Sequence, residues 1–176
     1  MDYEVKQIVT PEQRQETVAK LQEMPSEYYH QDYNLHDVTK WAKGINKENF
    51  PMLKSIEDLF PDLKVYSHYF LEYGVDSFTK QHTDNDKLIE KTVVTLVESV
   101  DLIGGETIVL KTYNIKGRPA TALRKGGAMY GYRIIPEVVK LEDGDSIIYD
   151  HSLPHSVAQV TQGKRLVLVS WFTSYK

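Results

Sequence analysis

Two His-x-Asp triplets are the places in this sequence where metal chemistry could most readily occur: His30-Gln31-Asp32 and His82-Thr83-Asp84. Residues two apart in a strand project from the same face, so such a triplet can offer an imidazole nitrogen and a carboxylate oxygen to one ion. The first triplet lies in a polar, Tyr-rich stretch, which favours solvated loop side chains over a metal site. The second triplet is therefore the stronger candidate, although the pattern alone also arises by chance.

An arginine opens the alternating apolar run of residues 165–172. In a strand, Arg165 would share one face with two valines and Trp171, and a cation on an otherwise apolar face requires an anion. The guanidinium fork suits a carboxylate, which it can bind through two parallel charge-assisted hydrogen bonds. The alternative is a surface arginine that pairs with a nearby acid just after a Gln-Gly turn. Lys164, on the opposite face, is the weaker candidate for the anion.

The order and spacing of several short motifs resemble those of one enzyme family. A Gly-Gly-Glu-Thr segment follows the second triplet, and then come a Gly-Asp-Ser segment, another histidine and a basic residue. Tyr73 lies nine residues before His82, and His155 lies ten residues before Arg165. Over roughly residues 66–172 this pattern resembles the iron(II)- and 2-oxoglutarate-dependent dioxygenases, most closely their prolyl-4-hydroxylase-like branch.

The resemblance implies an iron(II) site built from His82, Asp84 and His155. Two imidazoles and one carboxylate leave adjacent positions open on the ion, an arrangement diagnostic of non-haem iron oxygenases. By the same resemblance, 2-oxoglutarate and O2 are co-substrates, and ascorbate is an additional candidate cofactor. Relatives that halogenate lack the carboxylate ligand, so Asp84 favours hydroxylation of a C–H bond coupled to decarboxylation of 2-oxoglutarate. The implied catalytic residues are His82, Asp84, His155 and Arg165.

The resemblance also implies a pocket for 2-oxoglutarate around Arg165, which would bind the far carboxylate of the co-substrate. Thr95 matches a position where relatives place a hydroxyl beside that arginine, and an ordinary strand threonine is an equal alternative. Tyr73 and Trp171 match pocket-lining positions, and either could instead belong to the core.

Several other polar residues near these motifs have alternative interpretations. His151 competes with His155 as the second imidazole ligand, but its spacing to the following arginine is longer than the family pattern. Asn85 and Asp86 continue the polar run after the triplet and could orient a ligand or the substrate. Two further histidines, His36 and His68, belong to no such motif and are interpreted as structural.

The elements that must position these residues change in type along the chain. Before Pro61, capping signals and apolar stripes predict helices, the first of which begins at Thr10 and Pro11. After Pro61, short alternating runs bounded by glycines predict strands. The predicted helices span 10–23, 35–43 (ending at Gly44) and 51–60, and the predicted strands span 64–73, 92–99, 106–110, 137–141, 146–149, 157–160 and 165–172.

These elements predict one mainly β domain with N-terminal helices (α+β), in a double-stranded β-helix of the jelly-roll, cupin-like type. Residues 1–61 would form a helical support layer, and residues 62–176 would form the jelly-roll core with a long excursion at 111–136. The excursion is locally basic and contains tyrosines, so it could close as a lid over an acidic peptide or an anionic small molecule. A solvated loop is an equally good interpretation.

Composition restricts the function further. The chain has 176 residues, enough for one domain with a substantial core. The absence of cysteine excludes thiolate metal sites and disulfide scaffolds and favours a cytoplasmic location. The net charge of -4 argues against a general nucleic-acid or anionic-membrane binder. No apolar run is long enough for a membrane span or a signal peptide.

Taken with the resemblance, these features predict a hydroxylase whose substrate is a prolyl residue in a peptide or protein. One alternative is hydroxylation of a free amino acid or another small molecule. A second is a non-catalytic jelly-roll module that binds a small acid or a partner protein, for which a broken ligand set or a missing basic residue would be expected. A metal-dependent isomerase or non-oxidative cupin would leave Arg165 without a role. The sequence carries no signal for an oligomeric state.

Overall fold

The structure, a computed structural model, describes residues 3–24, 35–43, 45–84, 87–114 and 132–175. Within these residues no helix is both long and apolar enough to cross a bilayer. A short 3-10 helix, Lys47–Asn49, precedes the second α-helix. In chain order the elements are β1 (Tyr3–Gln7), α1 (Pro11–Glu23), β2 (His36–Asp37), β3 (Lys40–Ala42), α2 (Met52–Glu57), β4 (Lys64–Tyr73), β5 (Phe78–His82), β6 (Lys91–Gly104), β7 (Thr107–Asn114), β8 (Tyr132–Val139), β9 (Asp145–Asp150), β10 (His155–Val157) and β11 (Val160–Thr173).

The described strands form two antiparallel sheets. The major sheet has six strands in the order β1-β9-β6-β11-β4-β3, and the minor sheet has five in the order β2-β5-β10-β7-β8. Their inner faces pack together, with Val109 and Val139 of the minor sheet against Ile147 and Tyr149 of the major sheet. The predicted fold class, mainly β with N-terminal helices, is confirmed.

Helices α1 and α2 cover the outer face of the major sheet. Helix α1 begins after Thr10, whose hydroxyl accepts a hydrogen bond from the Gln13 N–H in a capping box, with Pro11 at the first helical position. The buried apolar residues that pack the helices onto the sheet include Leu21, Met52, Leu53, Ile56, Phe70, Val93 and Phe172.

Strand β11 runs through the middle of the major sheet and contributes to both of its faces. Because successive strand residues point in opposite directions, Leu168 faces the helices, whereas Val167 and Val169 face the minor sheet. Arg165 shares the parity of these two valines and is buried. The side chains that matter for function are therefore carried on the inner face of a well-packed central strand.

The prediction of a helix over residues 35–43 is wrong, because this segment forms β2 and β3. Strand β2 pairs with β5 and β3 pairs with β4. Val38 and Trp41 are buried in the inner core, and β-branched and aromatic residues favour strands. Tertiary pairing therefore outweighs the apparent helical stripe. The predicted stop at Gly44 lies outside the described residues.

Other elements also differ from the predictions: β5 lies outside every predicted strand, and the predicted strand 157–160 is divided between β10 and β11. Strand β1 was not predicted: it pairs with β9, and most of its residues are exposed, so no apolar alternation marks it. The predicted excursion at 111–136 is shorter, because β7 continues to Asn114 and β8 begins at Tyr132. The predicted turn at Gly163 is a bulge within β11, where the register with β6 shifts and φ is 72°. A β-carbon there would lie 2.1 Å from the Val100 carbonyl oxygen, so the bulge requires glycine.

A buried histidine links α2 to the major sheet. His68 Nδ1 lies 2.7 Å from Ser170 Oγ on β11, and its Nε2 lies 3.2 Å from Glu57 Oε1 on α2. Lys47 Nζ lies 2.7 Å from the same Glu57 oxygen. Burial lowers the pKa of His68 below its ordinary value of 6.5 and outweighs the opposing effect of Glu57. The structural interpretation of His68 agrees with these contacts.

This link predicts a pH dependence of stability. Below pH 6.5 the unfolded chain takes up a proton on His68 that the folded chain resists, so the free energy of unfolding decreases as the pH falls. The contribution is at most about 1.4 kcal/mol per pH unit. We expect His68→Gln to have a flatter dependence than the wild type between pH 7 and pH 5, measured by urea denaturation. Parallel curves for the two proteins would contradict this role.

Candidate metal centre and anion pocket

Pairing within the minor sheet brings the second triplet and the distal histidine together. His155, at the start of β10, lies directly opposite His82, at the end of β5. The His82 Nε2 atom lies 3.4 Å from Asp84 Oδ1, and His155 Nε2 lies 3.8 Å from the same oxygen. One possible ligand atom from each residue lies within 4.8 Å of the other two. These three side chains could therefore hold one metal ion.

Hydrogen bonds orient both imidazoles toward that point. His82 Nδ1 donates to the Lys80 carbonyl at 2.8 Å, and His155 Nδ1 donates to the Leu153 carbonyl at 2.9 Å. A carbonyl oxygen can only accept, so in each neutral ring the proton is on Nδ1 and the lone pair is on Nε2. This is the tautomer that a metal ligand needs, held by the outer contacts that metal-binding histidines commonly make.

The carboxylate is oriented in the same way. Thr92 Oγ1, on β6, donates to Asp84 Oδ2 at 2.7 Å, which leaves Oδ1 directed at the two Nε2 atoms. Burial raises the pKa of Asp84, but the bonds from His82 and Thr92 and the charge of His155 outweigh it, so the net pKa is lowered. Asp84 is thus an ionised, largely buried carboxylate, and the donor set fits a divalent metal ion.

The two imidazoles differ in how burial affects them. Burial lowers the pKa of His155 below the ordinary value, which favours the neutral ring. Burial also opposes the charged form of His82, but the hydrogen bonds to Asp84 and to the Lys80 carbonyl and the charge of Asp84 together outweigh burial and raise the pKa. Without a metal ion, the positive charge that balances Asp84 is therefore more readily carried by His82.

Arg165 lies at the other end of the same pocket. It is 3% exposed, one guanidinium nitrogen donates to the Gly105 carbonyl, and another donates to Thr107 Oγ1 at 3.1 Å. Its Nε has no partner among the described residues, and no described carboxylate forms an ion pair with it. The guanidinium also lies over the Tyr73 ring, 5.4 Å from its centre. A buried cation without an anion is costly, so the structure favours the anion-binding interpretation over a surface ion pair.

We call the cavity that joins these two groups the metal pocket. It contains His82, Asp84 and His155 together with Arg165. Its remaining polar and aromatic walls come from both sheets, and they include His36, Tyr69, Tyr73, Thr79, Thr107 and Tyr149.

Of the predicted co-substrate residues, Tyr73 lies in the metal pocket and Thr95 does not. Tyr73 is fully buried, and its hydroxyl lies 2.6 Å from Thr79 Oγ1. Thr95 lies on the opposite face of β6, where its hydroxyl lies 2.7 Å from Ser146 Oγ. The hydroxyl beside the arginine belongs instead to Thr107, the threonine of the Gly-Gly-Glu-Thr segment. Side chains alternate between the two faces of a strand, so Thr95 points to the outer face of β6 and away from the metal pocket.

Trp171 shares the inner face of β11 with Arg165 but lies beyond the metal pocket. Its ring packs edge-on against Tyr69 at 5.4 Å and near Tyr66 at 6.4 Å between ring centres. Its indole nitrogen is buried without a partner among the described residues. Trp171 is paired with Thr92 across β6, so it lies at the Asp84 end of the pocket. We call Tyr66, Tyr69 and Trp171 the aromatic rim.

Two of the remaining histidines, His151 and His36, differ in how close they lie to the metal ligands. His151 is not part of the ligand cluster, which agrees with the preference for His155. His36, interpreted above as structural, lines the metal pocket, with its Nδ1 2.8 Å from Thr79 Oγ1 and its ring edge-on to His82. No motif marks His36, because its position depends on the unpredicted strand β2. The candidates His30, Asp32, Asn85 and Asp86 lie outside the described residues.

Comparison with known proteins gives a consistent likeness of fold. No family model and no curated protein matches this sequence. A prolyl-4-hydroxylase from Pseudomonas putida aligns with a TM-score of 0.64 and 14% identity, over 99% of this chain and 93% of that one. The epimerase SnoN from nogalamycin biosynthesis aligns with a TM-score of 0.71 and 14% identity, over 97% of this chain and 78% of that one.

A third structure agrees with these two. The collagen prolyl hydroxylase of Paramecium Bursaria Chlorella virus-1, solved with 2-oxoglutarate, aligns with a TM-score of 0.65 and 11% identity, over 98% of this chain and 96% of that one. At such identities the likeness is one of fold. The predicted jelly-roll fold of the 2-oxoglutarate and iron(II) oxygenases is thereby confirmed.

The contact between Thr92 and Asp84 predicts a measurable effect on metal binding. Thr92→Val keeps the shape of the side chain but removes the donor that orients the carboxylate. We expect metal affinity to fall by about 10- to 100-fold, as for other outer contacts of metal ligands, measured by titration with iron(II) under anaerobic conditions. Thr95→Val is the matched control on the opposite face of the same strand and should bind metal as the wild type does. Equal losses in both variants would contradict the assignment.

Proposed function

We propose that this protein is an iron(II)- and 2-oxoglutarate-dependent hydroxylase. The observation that carries the proposal is the convergence of three preoriented ligands and one unpaired buried cation in a single pocket. His82, Asp84 and His155 would hold the metal through Nε2, Oδ1 and Nε2, and Arg165 would bind the far carboxylate of the keto acid. A non-catalytic module would have no need for both features together.

Each part of the metal pocket has a distinct task in this proposal. With 2-oxoglutarate and O2, bound iron(II) supplies the oxidising chemistry that couples decarboxylation of the keto acid to oxygenation of a C–H bond. The protein residues keep the ligands in the correct tautomer, as the Lys80 and Leu153 carbonyls do. The buried walls would keep water away from the reacting groups.

The cradle around Arg165 suits a carboxylate. The guanidinium has an Nε–H that is unused among the described residues, it contacts the Thr107 hydroxyl, and it lies over the ring of Tyr73. A carboxylate there would receive charge-assisted hydrogen bonds and neutralise a buried cation. Because three ligands from the protein leave open positions on the metal, the keto-acid end of the same molecule would bind the metal.

We propose a prolyl residue of a peptide or protein as the substrate. The aromatic rim supports this, because proline-containing segments dock on aromatic-lined grooves, and Tyr66 is 45% exposed. The unpartnered Trp171 N–H could donate to a peptide carbonyl. Strands β7 and β8 extend past His155, which pairs with Val109, so their connection begins at the metal end of the pocket. This position suits the predicted lid, whose residues 115–131 lie outside the described part.

Small molecules are the second substrate class, because proteins of this fold take both. A prolyl hydroxylase from Trichoplax adhaerens was solved with a hypoxia inducible factor peptide. HygX from Streptomyces hygroscopicus was solved with nickel, 2-oxoglutarate and hygromycin B. Ascorbate dependence and a cytoplasmic location remain predictions.

The role of Arg165 can be tested through the 2-oxoglutarate requirement. Arg165→Leu leaves the carboxylate in a buried site without its charged partner, a loss of about 2–5 kcal/mol. We expect the apparent affinity for 2-oxoglutarate to fall at least 30-fold, whereas iron binding stays unchanged, with Arg165→Lys intermediate. Succinate release as a function of 2-oxoglutarate concentration measures this. An unchanged requirement in Arg165→Leu would contradict the proposed pocket.

The substrate class can be tested through turnover of 2-oxoglutarate by the iron(II)-loaded protein. We expect succinate release above the substrate-free rate with proline-containing peptides, and no increase with the same peptides in which alanine replaces proline. Mass spectrometry should find one added oxygen on the prolyl residue. Stimulation by free amino acids alone would support a small-molecule hydroxylase and contradict the peptide proposal.

A further inference from the structure

Three buried polar side chains form a continuous line of contacts from β2 to the guanidinium of Arg165. His36 Nδ1 lies 2.8 Å from Thr79 Oγ1, and the same oxygen lies 2.6 Å from the Tyr73 hydroxyl. The Arg165 guanidinium lies over the Tyr73 ring. None of the three residues is more than 7% exposed, and all three line the metal pocket. We call His36, Thr79 and Tyr73 the polar triad.

The polar triad is a consequence of strand pairing. Strand β2 pairs with β5 so that His36 lies directly opposite Thr79. The turn between β4 and β5 is closed by two hydrogen bonds between Gly74 and Ser77, and it brings Thr79 back beside Tyr73, the last residue of β4. Because β4 belongs to the major sheet and β5 to the minor sheet, the polar triad bridges the two sheets at the metal pocket.

The number of protons restricts how the polar triad can be hydrogen-bonded. The Thr79 hydroxyl has one proton and contacts two groups, so it can donate to only one of them. If Thr79 donates to His36 Nδ1, it can only accept from Tyr73, and the tyrosine proton is used within the triad. If His36 Nδ1 donates to Thr79, Thr79 can donate to Tyr73, and the tyrosine proton is available to a ligand. If Thr79 accepted both bonds, its own buried proton would lack a partner in the triad, which is costly.

The charge of Arg165 favours the arrangement in which the tyrosine proton is available. Burial raises the pKa of Tyr73 above its ordinary value of 10.0 and outweighs the opposing effects of Arg165 and Thr79, so the hydroxyl keeps its proton at neutral pH. The charge of Arg165 acts on this hydroxyl, so an anion bound by the guanidinium would also lie near it. A carboxylate can only accept, and its hydrogen bonds are stronger than those between neutral groups. The tyrosine proton is therefore better used on the anion than on Thr79.

We infer that His36 is a positioning residue for the co-substrate. Its Nδ1–H donates to Thr79, Thr79 donates to Tyr73, and Tyr73 donates to the carboxylate that Arg165 binds. Hydrogen bonds that point the same way along such a line strengthen one another. The role of His36 and Thr79 rests on the proposed function, because the carboxylate at the end of the line is that of 2-oxoglutarate. Neither residue belongs to the ligand cluster.

The protonation of His36 can be observed directly by NMR. The sample is the full-length, isotope-labelled protein, saturated with 2-oxoglutarate and loaded with zinc, which is diamagnetic and accepts nitrogen and oxygen ligands. We expect two-bond correlations between ring protons and ring nitrogens to show a protonated Nδ1 in His36, with its resonances assigned by their loss in His36→Asn. An unprotonated Nδ1 would overturn the inference, because His36 could then only accept from Thr79.

A binding experiment separates positioning from a purely structural role. The Kd for 2-oxoglutarate is measured by anaerobic calorimetry on the iron(II)-loaded protein. We expect Tyr73→Phe and Thr79→Val each to weaken binding about 10-fold, and Thr79→Ser, which keeps the hydroxyl, to recover most of the affinity. The double variant Tyr73→Phe/Thr79→Val should bind no more weakly than Tyr73→Phe, because Thr79 acts through the tyrosine proton. Thr95→Val removes a buried hydroxyl that contacts Ser146 instead, so it is the matched control and should bind as the wild type does.

The same measurement tests His36. We expect His36→Leu to weaken binding of 2-oxoglutarate about as much as Thr79→Val does, since both break the line at the same oxygen. His36→Asn places an amide N–H near the position of Nδ1 and should lose less affinity than His36→Leu. If His36→Leu does not fold, the comparison of Thr79→Val with Thr79→Ser decides.

The outcomes distinguish the positioning role from the proposed function. Wild-type affinity in Thr79→Val, or additive losses in the double variant with Tyr73→Phe, would overturn the positioning role and leave the proposed function standing. If the iron(II)-loaded wild-type protein does not bind 2-oxoglutarate at all, the proposed function fails, and the positioning role fails with it.

Discussion

Charge buried between two apolar sheets must be compensated, and this constraint orders the whole site. Asp84 is largely buried, and it is balanced by His82 and by the Thr92 hydroxyl. Arg165 is buried as well, but its partners are a carbonyl and a hydroxyl, which do not neutralise it. The negative group is thus satisfied within the protein or by a metal ion, and the positive group requires a ligand. A pocket with this imbalance is built to receive an anion.

Strand β11 sets the distances along the site. Arg165 and Trp171 lie on its inner face six residues apart, which corresponds to about 20 Å at the usual rise of a strand. Between them, Val167 and Val169 form the floor of the metal pocket. Binding of the far carboxylate at one end and of substrate at the other would therefore place both near the ligands, which enter from the minor sheet. The outer face of β11 is packed against the helices, which hold the strand in place.

Much of the site could be predicted because its signals are local. His82 and Asp84 are two residues apart, and His155 and Arg165 are separated only by β10, a short connection and the start of β11. The residues that were misassigned depend on non-local facts. Thr95 was placed beside Arg165 on the basis of resemblance, but the parity of β6 directs it outward, and Thr107 takes that position. His36 lines the pocket because it lies on β2, a two-residue strand that forms only by pairing with β5. Local patterns do not show such pairing, and for this reason they predict a helix over residues 35–43.

In the proposed function, one pocket holds both iron(II) and 2-oxoglutarate. The most direct measurement is an anaerobic titration of the iron(II)-loaded protein with 2-oxoglutarate, followed by visible absorption. We expect the metal-to-ligand charge-transfer band of a chelated keto acid to appear in the wild type and to be absent in Asp84→Ala. A wild-type protein that binds iron(II) and shows no band at saturating 2-oxoglutarate would contradict the account, and the likeness to the oxygenases would then extend to the fold alone.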